Sequence, residues 1–316
     1  KEIMENILIT GGCGFIGTKL VEELLKLDCR ITVVDTQWFG NFLPKNKKLK
    51  VLNKDIRNLN ENDFNNIKTV FHLASISNDP CSDLNPKLSW EVGPLATFNI
   101  LNICKKKKIK NFIYASSGSV YGVSQKKRVK EDTNLLPISD YNKQKMITEK
   151  VIESFNNCFR VVVLRPATVC GISPRLRLDL SVNMLTYQAA KNKLITVFGG
   201  NQIRPNIHID DMVSLYLFSY KKKNLKGIFN AGFENLSILN IAKKIQEKID
   251  CKIKILKSND PRSYRLDSSK IIKEGFKPIK GVADAILEGK ELYLNKDFKI
   301  SNKNLNLKRM LNLNIK

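Results

Sequence analysis

Short apolar runs alternate with helix-like segments along the first half of the chain. Five runs are apolar at nearly every position: 7–10, 31–35, 69–73, 111–115 and 161–164. Such runs are expected in strands that helices cover on both faces, whereas half-exposed strands alternate apolar and polar residues. Between the first two runs, the apolar residues of 15–27 recur at helical spacing. The pattern predicts an α/β fold with a doubly wound parallel sheet.

The pattern becomes less regular after about Gly171. Helices are predicted at 179–191, 210–220, 238–249 and 282–294, and strands at 195–198 and 253–256. We interpret this half as a smaller C-terminal lobe. The predicted division gives residues 1–170 and about 206–233 to the larger domain, and 171–205 and 234–295 to the lobe. Residues 296–316 are expected to be a polar, loosely ordered tail.

The charge is strongly basic, with 54 Lys and Arg against 30 Asp and Glu and a net charge of +24. A basic protein is a candidate for nucleic-acid binding. The lysines, however, are spread along the whole chain, and runs such as 105–108 lie at predicted helix ends, where they favour the helix dipole. We therefore expect a solvated surface that weakly attracts anionic substrates, and no nucleic-acid partner.

No stretch approaches the roughly 18–20 apolar residues of a membrane helix, and the start of the sequence lacks a secretory pattern. A cytoplasmic protein without a membrane partner is predicted. The seven cysteines are scattered and form no CxxC pair, which indicates neither a metal site nor a disulfide framework.

A glycine turn, Gly11-Gly12-Cys13-Gly14-Phe15-Ile16-Gly17, links the first predicted strand to the first helix. Glycines there permit a tight turn and close approach of a pyrophosphate, which the amide groups of the helix N-terminus then bind. Asp35 ends the second strand, where a carboxylate accepts ribose hydroxyls and repels a 2′-phosphate. These features predict a Rossmann domain that binds NAD in preference to NADP.

Tyr and Lys four residues apart share one helical face, so that the ammonium can lower the pKa of the phenol. The pair occurs twice, as Tyr141/Lys145 and Tyr187/Lys191. Only Tyr141 follows the strand 111–115, whose carboxyl end carries Ser117, and ligands bind at that edge of an open α/β sheet. We therefore predict that Ser117, Tyr141 and Lys145 are catalytic and that Tyr187 is an ordinary helix residue in the lobe.

Together with His72-Leu73-Ala74-Ser75, Val120-Tyr121-Gly122, 204–211 and 267–270, these motifs resemble the extended short-chain dehydrogenases/reductases of the nucleotide-sugar epimerase/dehydratase family. The resemblance extends to about residue 294. It implies that the larger domain binds NAD and that the lobe binds a nucleotide-diphosphate sugar. It also implies a homodimer through the helices near 87–107 and 141–156.

The resemblance also implies a hydride mechanism. Tyr141 as phenolate would remove the proton of a sugar hydroxyl while hydride passes to NAD, Lys145 would hold the nicotinamide ribose and lower the pKa of Tyr141, and Ser117 would bind the reacting oxygen. Because Tyr141 fills the base role, His72 and His208 are expected to be structural.

Two sets of binding residues follow from the same comparison. The cofactor set is Gly11, Gly14, Phe15, Ile16, Gly17, Asp35, Asp55, Ile56, Leu73, Ala74, Ser75, Tyr141, Lys145 and Pro166. The substrate set is Ser117, Thr168, Arg175, Asn183, Arg204 and Arg262, with Arg177 as a further candidate. Arg204 is the candidate for the diphosphate, because a guanidinium fork matches paired oxygens.

Two departures from the family pattern bear on which of the family's reactions this chain catalyses. Dehydratases of the family carry an Asp-Glu pair after the catalytic hydroxyl residue, where this chain has Gly118-Ser119, so elimination of water is disfavoured. The frequent Arg-Tyr-Phe-Asn is replaced by Arg165-Pro166-Ala167-Thr168. The run 170–180 resembles a branch of the family linked to bacterial surface-sugar and polysaccharide synthesis.

Three functions remain open from the sequence. The first is an epimerase that transiently oxidises a sugar hydroxyl, with C4 as the expected position, and retains its NAD. The second is a net dehydrogenase or reductase of a nucleotide-activated hexose, deoxyhexose or heptose. The third, a non-catalytic dinucleotide sensor, is opposed by the intact Ser117, Tyr141 and Lys145 set.

Overall fold

A computed structural model describes residues 4–123, 128–258 and 263–315 of the chain. The strands in this part are β1 (Glu5–Thr10), β2 (Cys29–Asp35), β3 (Leu49–Asn53), β4 (Thr69–His72), β5 (Asn111–Ala115), β6 (Arg160–Pro166), β7 (Thr168–Cys170), β8 (Leu194–Phe198), β9 (Ile203–His208), β10 (Gly227–Ala231), β11 (Glu234–Ser237) and β12 (Lys252–Leu256). The α-helices are α1 (Phe15–Leu24), α2 (Asp79–Leu84), α3 (Pro86–Trp90), α4 (Ala96–Lys106), α5 (Asp140–Glu153), α6 (Ser181–Asn192), α7 (Ile209–Lys221), α8 (Ile238–Gln246), α9 (Ser269–Lys273), α10 (Val282–Leu294) and α11 (Asn306–Asn312).

The apolar runs form a seven-stranded sheet in the order β10-β6-β5-β4-β1-β2-β3. All neighbouring strands in it are parallel. Successive residues of β1 enter different cores, because Ile7 and Ile9 pack on one face of the sheet and Leu8 on the other. All three are fully buried. The doubly wound parallel sheet predicted from the apolar runs is confirmed.

Helices cover both faces of this sheet. Side chains of α1 and α7 belong to the cluster around Ile7, and side chains of α4 and α5 to the cluster around Leu8. Burial of each large apolar side chain contributes about 1.5–3 kcal/mol, so two helical layers supply most of the driving force for this half. The carboxyl ends of the parallel strands consequently lie along a single edge.

A third apolar cluster lies in the C-terminal half and joins α6, α8 and α10. Around it are a small sheet of β11, β9 and β7 and a parallel pair of β12 and β8. Strand β10 returns to the large sheet beside β6. The sequence pattern missed β3, β7, β9, β10 and β11, whose apolar runs are short or interrupted. The domain boundaries stay a prediction.

The expectation of a loosely ordered tail was wrong. Residues 306–312 form α11, in which Asn306 and Met310 are each only 2 % exposed. Met310 packs in the same core as Leu8 and Val34 of the large sheet. A polar segment can dock when a few apolar and amide side chains are buried, which average polarity does not reveal.

No helix in the described ranges is both long and apolar enough to cross a bilayer. All seven cysteines are free thiols, and only Cys158 is exposed.

Candidate active site

A cavity of about 420 Å³ opens at the carboxyl ends of the sheet strands, between the large sheet and the C-terminal half. Its size is typical of a small-molecule site. We call its two parts the Asp35 end, lined by Asp35, Trp38, Phe39, Arg175 and Asn306, and the Tyr141 end, lined by Ser117, Tyr141 and Lys145. Because β2 and β5 are three positions apart in the sheet, Asp35 and Ser117 are separated laterally by about 14 Å.

The glycine turn forms one wall of the cavity and fits a dinucleotide. Gly11 has a φ of +72°, and a Cβ there would lie 2.6 Å from the backbone nitrogen of Ala74. A Cβ on Gly17 would lie 2.5 Å from the carbonyl oxygen of Gly11. Helix α1 begins after Gly14, which has no side chain to cap the first amide groups. The turn is thus closely packed, and a helix N-terminus faces the cavity, as a pyrophosphate requires.

Asp35 is fixed by backbone amides at the end of β2. Its carboxylate accepts hydrogen bonds from Cys13 N at 3.0 Å and from Gln37 N at 2.7 Å. Burial raises the pKa of Asp35, while these two amides and the charge of Arg175 oppose the shift. A carboxylate held in this way keeps further lone pairs for hydroxyl donors in the cavity.

The Tyr141 end combines the carboxyl end of β5 with the first turns of α5. The Ser117 hydroxyl lies 2.8 Å from that of Ser119 and forms a hydrogen bond with the Tyr141 hydroxyl. The Ser139 hydroxyl caps α5 by accepting a hydrogen bond from Asn142 N at 3.2 Å, which fixes where the helix starts. Tyr141 and Lys145 therefore present one helical face to Ser117, as the sequence predicted.

The charge environment of Tyr141 differs from the expectation. Burial raises the pKa of Tyr141, and the Ser117 hydrogen bond and the Arg177 guanidinium counteract this rise. Lys145 instead donates to the carbonyl of Ala115 at 2.7 Å, and burial lowers its pKa to about 7. Of the charges that act on Tyr141, that of Arg177 lowers its pKa and that of Asp79 raises it.

Arg177 is held in place by acidic and amide side chains. Its Nε and Nη2 atoms donate to the two carboxylate oxygens of Asp179, each at 2.9 Å. Asn78 donates to the same carboxylate at 2.9 Å. Asn78 has a φ of +86°, a strained conformation for a non-glycine residue. The strain and the ion pair both orient groups of the cavity wall.

A buried polar network lies behind the Tyr141 end. Arg165 and Glu149 form an ion pair of 2.6 Å with both side chains only 3 % exposed. Ser116 donates to Glu149, and Arg165 donates to the Tyr121 hydroxyl at 2.7 Å. The network joins β5, β6 and α5, and so ties the strand that precedes Ser117 to the helix that carries Tyr141.

Residues 118 and 119 leave no acid beside Ser117. A Cβ at Gly118 would lie 3.2 Å from the carbonyl oxygen of Pro166 and 3.3 Å from the Tyr264 hydroxyl. A carboxylate side chain would not fit there without movement of Pro166 or Tyr264. The packing therefore agrees with the sequence in disfavouring elimination of water.

Most of the predicted binding residues line the cavity. They are Gly11, Gly14, Phe15, Ile16, Gly17, Asp35, Asp55, Ile56, Leu73, Ala74, Ser75, Ser117, Tyr141, Lys145, Pro166, Thr168, Arg175, Arg177 and Arg204. Arg262 lies outside the described residues. Arg175, expected to contact the substrate, packs against Phe39 and donates to Asn306 at the Asp35 end of the cavity.

The structure contradicts the prediction that Asn183 contacts the substrate. Its amide is 2 % exposed, bonds both the N–H and the carbonyl of Gly171 at 2.9 Å, and donates to Arg177 O at 3.0 Å. It is not among the residues that line the described cavity. The side chain braces the backbone that carries the cavity arginines, because a buried amide takes the nearest backbone partners.

The sequence reasoning missed several wall residues: Trp38, Phe39, Asn78, Asp79, Tyr264 and Asn306. Trp38 and Phe39, two aromatics soon after Asp35, were the available signal. Asn306 had none, because it reaches the cavity only through the docking of α11. Tyr187 lies away from the cavity, with its ring 5.5 Å from that of Tyr293.

Both histidines occupy buried polar positions. His72 lies 2.7 Å from the Thr10 hydroxyl and 2.9 Å from that of Thr97, and burial lowers its pKa to about 3. His208 caps α7 and lies 3.2 Å from Glu288. His208, Asp210 and Glu288 are grouped closely, but Lys280 bonds both carboxylates at 2.8 and 2.7 Å, so the group is an ion-pair cluster.

The chain is similar to known proteins in sequence and in fold. The model of the NAD-dependent epimerase/dehydratase family matches residues 7–232. A Bacillus subtilis (strain 168) protein described as an uncharacterized UDP-glucose epimerase is 33 % identical over 271 residues, which are 76 % of this chain and 81 % of that protein.

Two solved structures are similar over nearly the whole chain. UDP-N-acetylglucosamine 4-epimerase from Methanobrevibacter ruminantium M1, in complex with UDP-N-acetylmuramic acid, is 26 % identical with a TM-score of 0.84, over 91 % of this chain and 97 % of that one. UDP-glucuronic acid 4-epimerase from Bacillus cereus, in complex with UDP-glucuronic acid and NAD, is 28 % identical with a TM-score of 0.80, over 91 % and 98 %.

Proposed function

Because the chain belongs to the NAD-dependent epimerase/dehydratase family, we propose that it is an NAD-dependent nucleotide-sugar epimerase that inverts C4 of a UDP-sugar. One observation carries the proposal: the hydroxyls of Ser117 and Tyr141 meet at one end of a cavity whose wall is the glycine turn. The UDP group and the C4 position rest on similarity to UDP-sugar 4-epimerases.

NAD is the cofactor of this family, and the cavity suits it. The glycine turn and the N-terminus of α1 would hold the pyrophosphate, Asp35 the adenosine ribose, and Asp55 and Ile56 the adenine, with Leu73, Ala74, Ser75 and Pro166 along the remainder. Bound there, NAD supplies the capacity to accept a hydride and return it.

Proton transfer falls to Tyr141. Its phenolate takes the proton of the sugar C4 hydroxyl, and the resulting hydroxyl later returns it, while the Ser117 hydroxyl donates a hydrogen bond to the same sugar oxygen. Arg177 favours the phenolate by its charge, and burial of the site keeps that interaction strong. Lys145, one turn along α5 from Tyr141, is proposed to bind the nicotinamide ribose.

Inversion requires the oxidised sugar to present its other face between loss and return of the proton. Gly118, Ser119 and Thr168 are small and uncharged, which suits that rotation and places no acid directly after Ser117. Arg204 is proposed to bind the diphosphate of the nucleotide sugar. Arg262 remains a substrate candidate from the sequence.

A homodimer is also proposed. The helix face near α4 exposes Leu95 and Phe98, which are 63 % and 53 % exposed, and Phe98 stacks edge-on to Phe155 beyond α5. Exposed apolar groups of this kind favour a helical interface between two copies. The cytoplasmic location and the role in polysaccharide synthesis stay predictions from the sequence.

The test is conversion without added cofactor. Purified protein is incubated with UDP-glucose, UDP-N-acetylglucosamine and UDP-glucuronic acid separately, and the products are resolved by chromatography. At least one sugar should equilibrate with its C4 epimer, with no net change in NADH absorbance. Strict dependence on added NAD, or steady accumulation of NADH, would support the dehydrogenase instead.

A further inference from the structure

Arg175 has unused hydrogen-bonding capacity at the Asp35 end. Its side chain is 3 % exposed and lines the cavity. Nη2 donates to the Asn306 side-chain oxygen at 2.5 Å, and the guanidinium carbon lies 4.2 Å from the centroid of the Phe39 ring. Nε and Nη1 are buried without a partner in the part of the chain that the structure describes. Unpaired donors on a buried cation are costly, which indicates a ligand that accepts from them.

The surroundings identify the chemistry of that ligand. Burial and the neighbouring Arg177 lower the pKa of Arg175, whereas Asp179 and Asp35 act in the opposite direction. Asp179 is already bonded to both nitrogens of Arg177 that face it. Neither carboxylate accepts a hydrogen bond from Arg175 in the described residues, and an additional oxygen acceptor, preferably anionic, would stabilise its charged form.

The position of Arg175 favours the cofactor, rather than the sugar nucleotide, as the ligand of its two unpaired donors. Arg175 and Asp35 influence each other's pKa. Asp35 is the last residue of β2, which pairs with β1, the strand that leads into the glycine turn. The group that lies between Asp35 and the N-terminus of α1 is, under the proposed function, the adenosine diphosphate half of NAD. Its ribose and pyrophosphate oxygens match the two free N–H donors.

The segment of residues 301–315, which we call the C-terminal strap, fixes Arg175 from outside. Besides holding Arg175, Asn306 donates to the Ser77 hydroxyl at 2.9 Å. Arg309 donates to the carbonyl of Trp38 at 2.6 Å. The carbonyl of Asn304 accepts a hydrogen bond from the N–H of Leu178 at 2.9 Å. The strap therefore bridges three separate parts of the cavity wall around one end of the cofactor site.

We infer that Arg175 and the C-terminal strap form a clamp that retains NAD, in which the Nε and Nη1 groups of Arg175 donate to oxygens of the adenosine diphosphate half. The strap keeps the guanidinium in its orientation against Phe39. The clamp rests on the proposed function only in taking NAD as the ligand. A redox-neutral epimerase benefits from it, because its cofactor is regenerated in every cycle while the sugar exchanges.

The test measures NAD release, which requires no turnover. Protein loaded with NAD is mixed with excess isotopically labelled NAD, and the loss of the original nucleotide is followed by mass spectrometry. Arg175→Met should release NAD on the order of 10- to 100-fold faster, because hydrogen bonds from a charged group are removed. Asn306→Leu should release it about 3- to 10-fold faster, and the exposed strap variant Lys308→Met should behave as wild type.

Thermal unfolding separates a clamp from a structural arginine. Without NAD, Arg175→Met should unfold at a temperature no lower than wild type, because an unpaired buried cation is removed. With NAD it should unfold at a lower temperature. A lower temperature in both states, or unchanged NAD release in Arg175→Met, would overturn the clamp.

Removal of residues 301–316 provides a second route if Arg175→Met does not fold. It should speed NAD release at least as much as Asn306→Leu, and wild-type release from the shortened chain would also overturn the clamp. Failure to convert any UDP-sugar, with NAD release as expected, would refute the epimerase and leave the clamp intact.

Discussion

The two ends of the cavity are built from the sequence in different ways. At the Tyr141 end, Ser117, Tyr141 and Lys145 come from one strand end and the helix that follows it. At the Asp35 end, a single bond between Arg175 and Asn306 spans 131 positions. The first end is specified by short motifs, and the second by long-range docking. The comparison teaches that the motifs define the chemistry, whereas distant segments enclose the cofactor site.

The largest expected effect would come at the Tyr141 end. Tyr141→Phe removes the proposed base and should lower kcat by about 10²- to 10⁴-fold, while the stability and the NAD content stay near wild type. Steady-state epimerisation with the UDP-sugar found above, together with NAD released on denaturation, measures both quantities.

Tyr187→Phe is the matched control, because it removes the same hydroxyl from the second Tyr–Lys pair. It should leave kcat unchanged, since Tyr187 packs against Tyr293 and Phe298. Equal losses in the two variants, or normal turnover by Tyr141→Phe, would contradict the assignment of Tyr141 as the base.

The next effect concerns the buried network behind Ser117. Glu149→Gln leaves the Arg165 cation without its counter-charge where both side chains are only 3 % exposed. The free energy of unfolding should fall by about 3–5 kcal/mol, the usual cost of breaking one partner of a buried pair. Urea titration of the two proteins at equal NAD occupancy measures the difference.

Glu153→Gln, one turn further along α5, supplies the comparison for that variant. Glu153 pairs with Lys150 at 2.9 Å, but both side chains are more than half exposed. The change should be below about 0.5 kcal/mol. If the two Glu→Gln variants were destabilised equally, the network would not be what stabilises the Tyr141 end.

Sequence patterns predicted the large sheet and the Tyr141 end because both are determined by residues that are close in sequence. Apolar runs predict β1, β2, β4, β5 and β6 directly, and Tyr141 lies at the start of the helix that carries it. The position of Ser117 after β5 selected Tyr141 over Tyr187, which periodicity alone could not do.

What the sequence did not reveal depends on contacts between distant residues. The strap is polar on average, and only the burial of Asn306 and Met310 shows that it docks. Arg175 was expected to contact the substrate because it lies in a family segment, but its guanidinium packs against Phe39 and donates to Asn306. Charges that act on Tyr141 come from Arg177 and Asp79, which no spacing along α5 could indicate.

The smallest effect would come at Asp35, and it tests the other half of the comparison. In Asp35→Asn the amide has one acceptor oxygen, so either Cys13 N or Gln37 N loses its present partner. We expect a loss of about 1–3 kcal/mol in stability, weaker NAD retention and less discrimination against NADP, because the charge that repels a 2′-phosphate is gone. Isothermal titration of NAD-stripped protein with NAD and NADP measures the discrimination. Asp28→Asn, just before the same strand and 71 % exposed, should change neither quantity. If Asp35→Asn kept the stability and NAD preference of wild type while Tyr141→Phe behaved as expected, the glycine turn and Arg175 would have to select the cofactor without this carboxylate.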